Sequence, residues 1–187
     1  MRKENHMVYV HFAEGFEEIE AVTVVDVLRR GGIRTEMVSI MEGKAVTGSN
    51  GVSIIADLLF EEADYENCEM IVLPGGARGT ANLAAHVGLA SVVKGFAEKK
   101  KYLAAICAAP MVLGKLGILE GKEATIYPGM EEHLAGAKAS KNRVVADGNI
   151  ITSRGAGTAM EFALELVGML KGAEEKARLA ESMVVRE

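Results

Sequence analysis

Long apolar runs, a disulfide framework and an excess of positive charge are all missing from this 187-residue chain. No apolar run approaches the roughly 18 residues that a membrane-spanning helix needs. Residues 1–7 are polar and lack the apolar core of a signal peptide. These absences lead us to expect a cytoplasmic protein with a short disordered stretch over residues 1–6. A formal charge of -5 and a pI near 5.5 offer no general attraction to nucleic acid or to an anionic membrane, so the expected partner is a small molecule or another protein. The two cysteines, Cys68 and Cys107, fit neither a thioredoxin nor a zinc spacing and read as reduced thiols. His6, His11, His86 and His133 are scattered without metal-ligand spacing, so packing or surface roles are expected and no metal. Neither G-x-G-x-x-G nor a phosphate-binding Gly-Lys-Ser/Thr motif follows a strand, which argues against nucleotide sites. Internal repeats, linkers and low-complexity tracts are missing too.

What is present is an ordinary globular composition, 49% hydrophobic and 25% charged, enough for one domain over residues 1–187 with a three-layer core. Apolar runs at 7–13, 34–41, 52–56, 69–73, 102–106 and 123–127 predict strands. The segment 16–30 is acidic at its start, basic at its end and followed by Gly31-Gly32, which predicts a helix despite its β-branched run. Further helices are expected over 80–85, 89–100, from Ala108 to Leu116, and a short one over 130–135. Asp147-Gly148-Asn149 between two apolar triplets predicts a hairpin. Thr158-x-x-Glu161 reads as a capping box opening a helix that runs to Leu170. Alternating strands and helices imply a largely parallel sheet with helices on both faces. In such sheets, sites form at the carboxyl ends of the strands, which here carry 14–20, 74–79, 107–110 and 153–157.

The stretch 102–114, Y-L-A-A-I-C-A-A-P-M-V-L-G, stands out because it passes from a buried strand into a helix with a cysteine at the junction. Pro110 suits a first helical turn, where its missing N–H costs nothing. A thiol placed there faces unpaired amides and the positive end of a helix, both of which favour the thiolate. Lowering a thiol pKa from near 8.5 to about 7 takes roughly 2 kcal/mol, within reach of a helix terminus and two or three amide bonds. The alternative is that Cys107 is one more small buried residue, as most free cysteines are. Glu20, likewise, reads either as a solvated helix-start acid or as a site carboxyl.

Four motifs in this order, E-E-x-E at 17–20, L-P-G-G at 73–76, A-A-I-C-A-x-P at 104–110 and T-S-R-G-x-G at 152–157, together resemble the ThiJ/PfpI superfamily. Within it the likeness is to the branch of the parkinsonism-associated deglycase and bacterial ThiJ-type proteins, from about Val8 onward. The resemblance implies a flavodoxin-like three-layer sandwich, a homodimer, and a nucleophilic Cys107 at a strained strand-to-helix elbow. It implies that Glu20 hydrogen-bonds the sulfur and that the amides of Gly76 and Ala108 act as oxyanion-type donors. Gly75, Tyr127 and Arg154 are expected around the pocket, Arg154 equally well as a surface or dimer-contact residue. The implied activity is glyoxalase or deglycase chemistry on methylglyoxal-like α-oxoaldehydes or their protein adducts, without a cofactor. The alternative is a redox-responsive chaperone or oxidative-stress sensor.

Departures from the pattern narrow this. Ala108 stands where peptidase-like members have histidine, which disfavours a cysteine peptidase. Tyr127 stands where animal members have a histidine, so no imidazole role is expected there. The late His-x-Glu pair of glutamine amidotransferases is missing.

Overall fold

The computed structural model of the chain describes residues 6–185. Residues 1–5 of the segment expected to be disordered lie outside the described residues, whereas His6 is described, its Nδ1 lying 2.7 Å from a Glu69 carboxylate oxygen.

The elements run β1 (Met7–Phe12), α1 (Glu18–Arg30), β2 (Arg34–Ser39), β3 (Ala45–Thr47), β4 (Ser53–Ile55), β5 (Leu58–Leu59), β6 (Met70–Leu73), α2 (Ala77–Ala85) and α3 (Val87–Glu98). There follow β7 (Tyr102–Ile106), α4 (Pro110–Lys115), β8 (Glu123–Ala124), β9 (Lys138–Ala139), β10 (Val144–Asp147), β11 (Ile150–Ser153), α5 (Ala159–Lys171) and α6 (Ala173–Ser182). The main sheet has the order β10-β11-β7-β6-β1-β2-β5. All its neighbours pair in parallel except the β10–β11 hairpin. Without the two-residue edge strand β5, the parallel order β2-β1-β6-β7-β11 is the 2-1-3-4-5 order of a flavodoxin-like sandwich. Its switch point lies between β1 and β6, where successive crossovers leave in opposite directions and open a crevice.

The period-two alternation of the strands sorts the core into two layers. Val8, Val10 and Phe12 of β1, with Met70, Val72, Ala104 and Ile106, face α1 and α5. Tyr9, Ile71, Leu73, Leu103 and Ala105 face the layer containing Leu83, Leu89, Val93, Phe96 and Leu113 of α2, α3 and α4. Each central strand is therefore buried on both sides, which is why β6 reads as an unbroken apolar run, M-I-V-L. Among the described residues no helix is long and apolar enough to cross a membrane.

Several expected elements take another form. The strand at 52–56 is β4, which pairs only with β3 in a separate hairpin, while the main-sheet edge is taken by β5. The expected strand over 123–127 shortens to β8, which pairs with β9 in a two-stranded sheet of its own. The short helix at 130–135 is a single 3-10 turn, Glu131–His133. Helix α2 begins at Ala77, ahead of the expected 80, because the glycine loop turns straight into it. Ala108 and Ala109 form a turn and Pro110 is the first residue of α4, so the helix starts later than expected. The Thr158–Glu161 capping box does not form. Thr158 Oγ1 bonds the Gly155 peptide and Ser153 Oγ, and the Glu161 carboxylate is taken by Arg143. Helix α6 had no counterpart in the sequence reading; its first turn is acidic and only Leu179 is buried, so its apolar stripe is faint.

Candidate active site

Three of the four strand-end segments meet at the β1/β6 switch point, and the fourth adjoins them. The loop 13–17 after β1 bonds the loop after β6: Glu17 N–H donates to Gly75 O at 3.0 Å and Gly79 N–H to Gly15 O at 3.0 Å. Cys107, ending β7, donates its N–H to Ser153 O of β11 at 3.0 Å. Parallel register across β11, β7, β6 and β1 puts these carboxyl ends side by side.

Glu20 lies in the first turn of α1 with 0% of its surface exposed. Its Oε2 accepts the Gly75 N–H at 2.8 Å, and its Oε1, also buried, has no hydrogen-bond partner among the described residues. The carboxyl and the Cys107 thiol converge on the same side of Gly75. The two residues crowd Gly75 so closely that a Cβ there would lie 2.5 Å from Glu20 Oε2 and 2.6 Å from Cys107 Cβ. Only glycine fits. Gly76, at φ +90°, needs a left-handed backbone as well, since it begins α2 while its own Cα packs on the Gly15–Glu17 main chain.

Cys107 is partly exposed and has φ +63°. A non-glycine residue in that region costs on the order of 1–2 kcal/mol, a strain the flanking bonds hold in place. Those bonds are Cys107 N–H to Ser153 O and Tyr127 N–H to Cys107 O, the latter at 2.9 Å. The main-chain amides of Gly76 and Ala108 favour the ionised sulfur.

Burial pushes Glu20 up to about 7 against the bonds from Cys107 and Gly75, and the nearby Glu17 charge adds to the rise. Burial also pushes the Cys107 thiol up, to about 12, followed by the charge and hydrogen bond of an ionised Glu20, while the Gly76 and Ala108 amides pull it down. This corrects the expectation of a thiol lowered by its helix terminus. Helix α4 starts three residues past the sulfur, and burial opposes ionisation. Two of the three upward effects exist only while Glu20 is charged. With a proton on Glu20 they vanish, leaving burial against two amide donors.

Of the remaining expected residues, Tyr127 reaches the site through its main chain; its ring lies against Gly155 and is 51% exposed. Arg154 donates Nη1 to Lys141 O at 3.1 Å, holding that loop, and its Nε is buried without a partner. Three contributors lie within the quoted motifs, but their roles were not assigned from sequence. Ser153 offers a main-chain oxygen that no side-chain pattern announces. Glu18 clamps the β3–β4 turn, accepting from Asn50 N–H at 2.6 Å and from Asn50 Nδ2 at 2.9 Å. Glu17 caps α1 by accepting the Glu20 N–H; a glutamate is not among the preferred caps, so its motif gave no sign of a capping role. Among the described residues no group of three or more His, Cys, Asp or Glu is placed to hold a metal ion.

Comparison with known proteins agrees with this arrangement of elements. A model described as the DJ-1/PfpI family matches residues 6–169. The chain is 37% identical to the dj-1beta protein of Drosophila melanogaster, over 94% of this chain and 95% of the fly protein. It is 38% identical to DJ-1 homolog B of Arabidopsis thaliana over 95% of its own length, but spans only 41% of that plant protein. Among solved structures, oxidized DJ-1 of Toxoplasma gondii superposes with a TM-score of 0.93 at 33% identity, covering 97% of this chain and 100% of the other. Drosophila DJ-1beta superposes with a TM-score of 0.92 at 36% identity, covering 98% and 100%.

Proposed function

The chain belongs to the DJ-1/PfpI family, and from that premise we propose that it is a cysteine-dependent enzyme of glyoxalase or deglycase type, acting on methylglyoxal-like α-oxoaldehydes or their protein adducts. The observation that carries this reading is the buried Glu20 carboxyl set against the Cys107 thiol, both pressed on a glycine that leaves no room for anything else.

The pair works as one acid with one proton to share. A carboxylate beside a thiolate repels it, so an anionic sulfur requires the proton on Glu20, and the raised carboxyl value keeps that form available near neutrality. The thiolate attacks the aldehyde carbon of methylglyoxal. A C–S bond forms, the carbonyl electron pair moves to oxygen, and Glu20 supplies the proton, giving a hemithioacetal. The amides of Gly76 and Ala108 stabilise charge developing next to the sulfur. Glu20, now ionised, takes the proton from the former aldehyde carbon to give an enediol and returns it to the adjacent carbon, while the hydroxyl proton passes from the first oxygen to the second, which yields a thioester of lactate. Water cleaves that ester, releasing lactate and restoring the thiolate, so that one methylglyoxal and one water become one lactate. No organic cofactor or metal enters this balance.

The test is methylglyoxal consumption with stoichiometric lactate release, which Cys107→Ala and Glu20→Gln abolish. Turnover that survives both replacements would sink the proposal.

One observation favours a second reading, a redox-responsive chaperone or stress sensor: a solved relative is an oxidized DJ-1. A partly exposed Cys107 beside a fully buried Cys68 suits selective oxidation. Aggregation suppression that persists in Cys107→Ala and Glu20→Gln would favour a chaperone. We take the protein to be cytoplasmic and homodimeric, the latter supported by the exposed apolar side chains Ile19 and Val22 on α1 and Val52 and Ile55 on the neighbouring hairpin.

A further inference from the structure

The start of α1 departs from an ordinary capping arrangement in a way that bears on the candidate site. In a capping box the N-cap side chain accepts the N–H of the third helical residue, and that residue's carboxylate reaches back to the N-cap N–H. Glu17 is the N-cap and Glu20 the third helical residue. The first half of the box is present, with Glu20 N–H donating to Glu17 Oε2 at 2.8 Å. The second half is opened, and the Gly75 peptide is spliced into the gap. Glu17 N–H donates to Gly75 O at 3.0 Å and Gly75 N–H donates to Glu20 Oε2 at 2.8 Å. Three hydrogen bonds thus close a ring through Glu17, Gly75 and Glu20.

The insertion has two consequences. It ties α1 to the glycine loop after β6, and it turns the Glu20 carboxyl away from its own helix end. A glutamate is also a poor choice for capping alone, where Ser, Asp and Asn hold the helix better. A local rule broken at a site marks a residue retained for something other than stability.

We propose that Glu17 is a positioning residue for the Glu20–Cys107 pair, fixing the helical turn that carries Glu20 through its carboxylate and orienting the Gly75 peptide through its main chain. This rests on the reading of Glu20 and Cys107 given above. Glu17 also sets the proton balance of that pair. Burial is the main cause of the raised Glu20 value, and the Glu17 charge adds to it, which favours the protonated carboxyl that an anionic sulfur needs. The ionisable groups acting on Glu20 are Cys107, from the β7–α4 turn, and Glu17 from its own loop. Of the other charged groups near the helix start, Glu18 is bonded to the β3–β4 turn and Glu14 to the Thr47 N–H, and Arg78 of α2 packs its stem along Gly15.

The test is the pH profile of iodoacetamide alkylation at Cys107, followed by mass spectrometry of its peptide in the full-length protein, for wild type, Glu17→Ser, Glu17→Asp and Glu20→Gln. The wild type is expected to show two inflections, since the coupled pair loses its protons in two steps. Glu17→Ser keeps a good cap but removes the charge. It is expected to keep the wild-type melting temperature while its lower inflection moves down by about half a pH unit and alkylation at pH 7 falls about twofold. Glu17→Asp keeps both charge and cap and is expected to restore the wild-type profile. If Glu17→Ser leaves the inflection and the rate in place, or Glu17→Asp fails to restore them, Glu17 is only a cap and the inference is overturned. If the wild type shows a single inflection that Glu20→Gln does not alter, the coupled pair itself is refuted, and this inference with it.

Discussion

The Gly75 N–H and the Glu20 carboxylate oxygen meet at 2.8 Å, and the same glycine backs directly onto the Cβ and sulfur of Cys107. A methyl group at position 75 would sit 2.5 Å from the carboxylate and 3.1 Å from the sulfur, neither of which can retreat, since both are fixed by the helix and the strand that carry them. Gly75→Ala is therefore expected to cut Cys107 alkylation at pH 7 at least tenfold and to lower stability by about 1–3 kcal/mol, the usual cost of overpacking. Alkylation kinetics and denaturant melts read both effects.

Glu20 makes stability depend on pH in a direction opposite to most carboxylates. Its folded value is near 7 against an ordinary 4.5, so between those limits the folded protein holds a proton that the unfolded chain has released. Stability is fully present below about 4.5 and declines as pH rises through 7, by about 3 kcal/mol at 1.36 kcal/mol per unit. Glu20→Gln is expected to be more stable than wild type at pH 8 and nearly equal to it at pH 4.5. Urea unfolding at the two pH values checks this.

His11 acts in the other direction. It is fully buried on β1, its Nε2 is 2.8 Å from the Tyr65 hydroxyl, and burial pushes its pKa down to about 3. The unfolded chain binds a proton below about 6.5 that the folded protein refuses. Acidification from pH 6.5 toward 3 should therefore remove stability at up to about 1.4 kcal/mol per unit from this residue alone. Replacing it as His11→Gln, whose amide can still meet Tyr65, should flatten that part of the stability profile.

Oxidation should discriminate between the two thiols. Cys68 is 0% exposed, donates its S–H to Met70 O at 3.2 Å, and is pushed up to about 12 by burial. Cys107 is partly exposed, and the Gly76 and Ala108 amides favour its thiolate. Limited hydrogen peroxide should convert Cys107 to sulfenic and then sulfinic acid while Cys68 stays reduced, as peptide mass spectrometry would show. Oxidation at Cys68 first would contradict this.

Much of this architecture could be read from the chain because the physics that sets it is local. The run 102–106 is β7 residue for residue, and the charge layout of 16–30 outweighed its β-branched run to give α1. The Asp147-Gly148-Asn149 hairpin was equally plain. Where the reading failed, tertiary partners decided. Thr158 abandoned its capping box because Gly155 and Ser153 were within reach, and Glu161 because Arg143 was. Residues 123–127 formed only the short β8, as the Glu123 N–H goes to the Asp147 carboxylate and the Thr125 N–H to Thr152 Oγ1 instead of to a strand. At the site, Cys107 and Glu20 were named from motifs, but Glu17, Glu18 and Ser153 act through caps, turns and main-chain oxygens that leave no signature in residue type. The influence of burial on the thiol was likewise invisible, since the layers that enclose it come from distant parts of the chain.

The ring through Glu17, Gly75 and Glu20 joins two segments that are far apart in sequence and become neighbours only once β1 and β6 lie side by side. Until that docking is complete, the carboxyl is an ordinary surface acid and position 107 an ordinary cysteine. The shared environment of the two side chains therefore depends on that docking, and a molecule in which β1 and β6 have parted loses it.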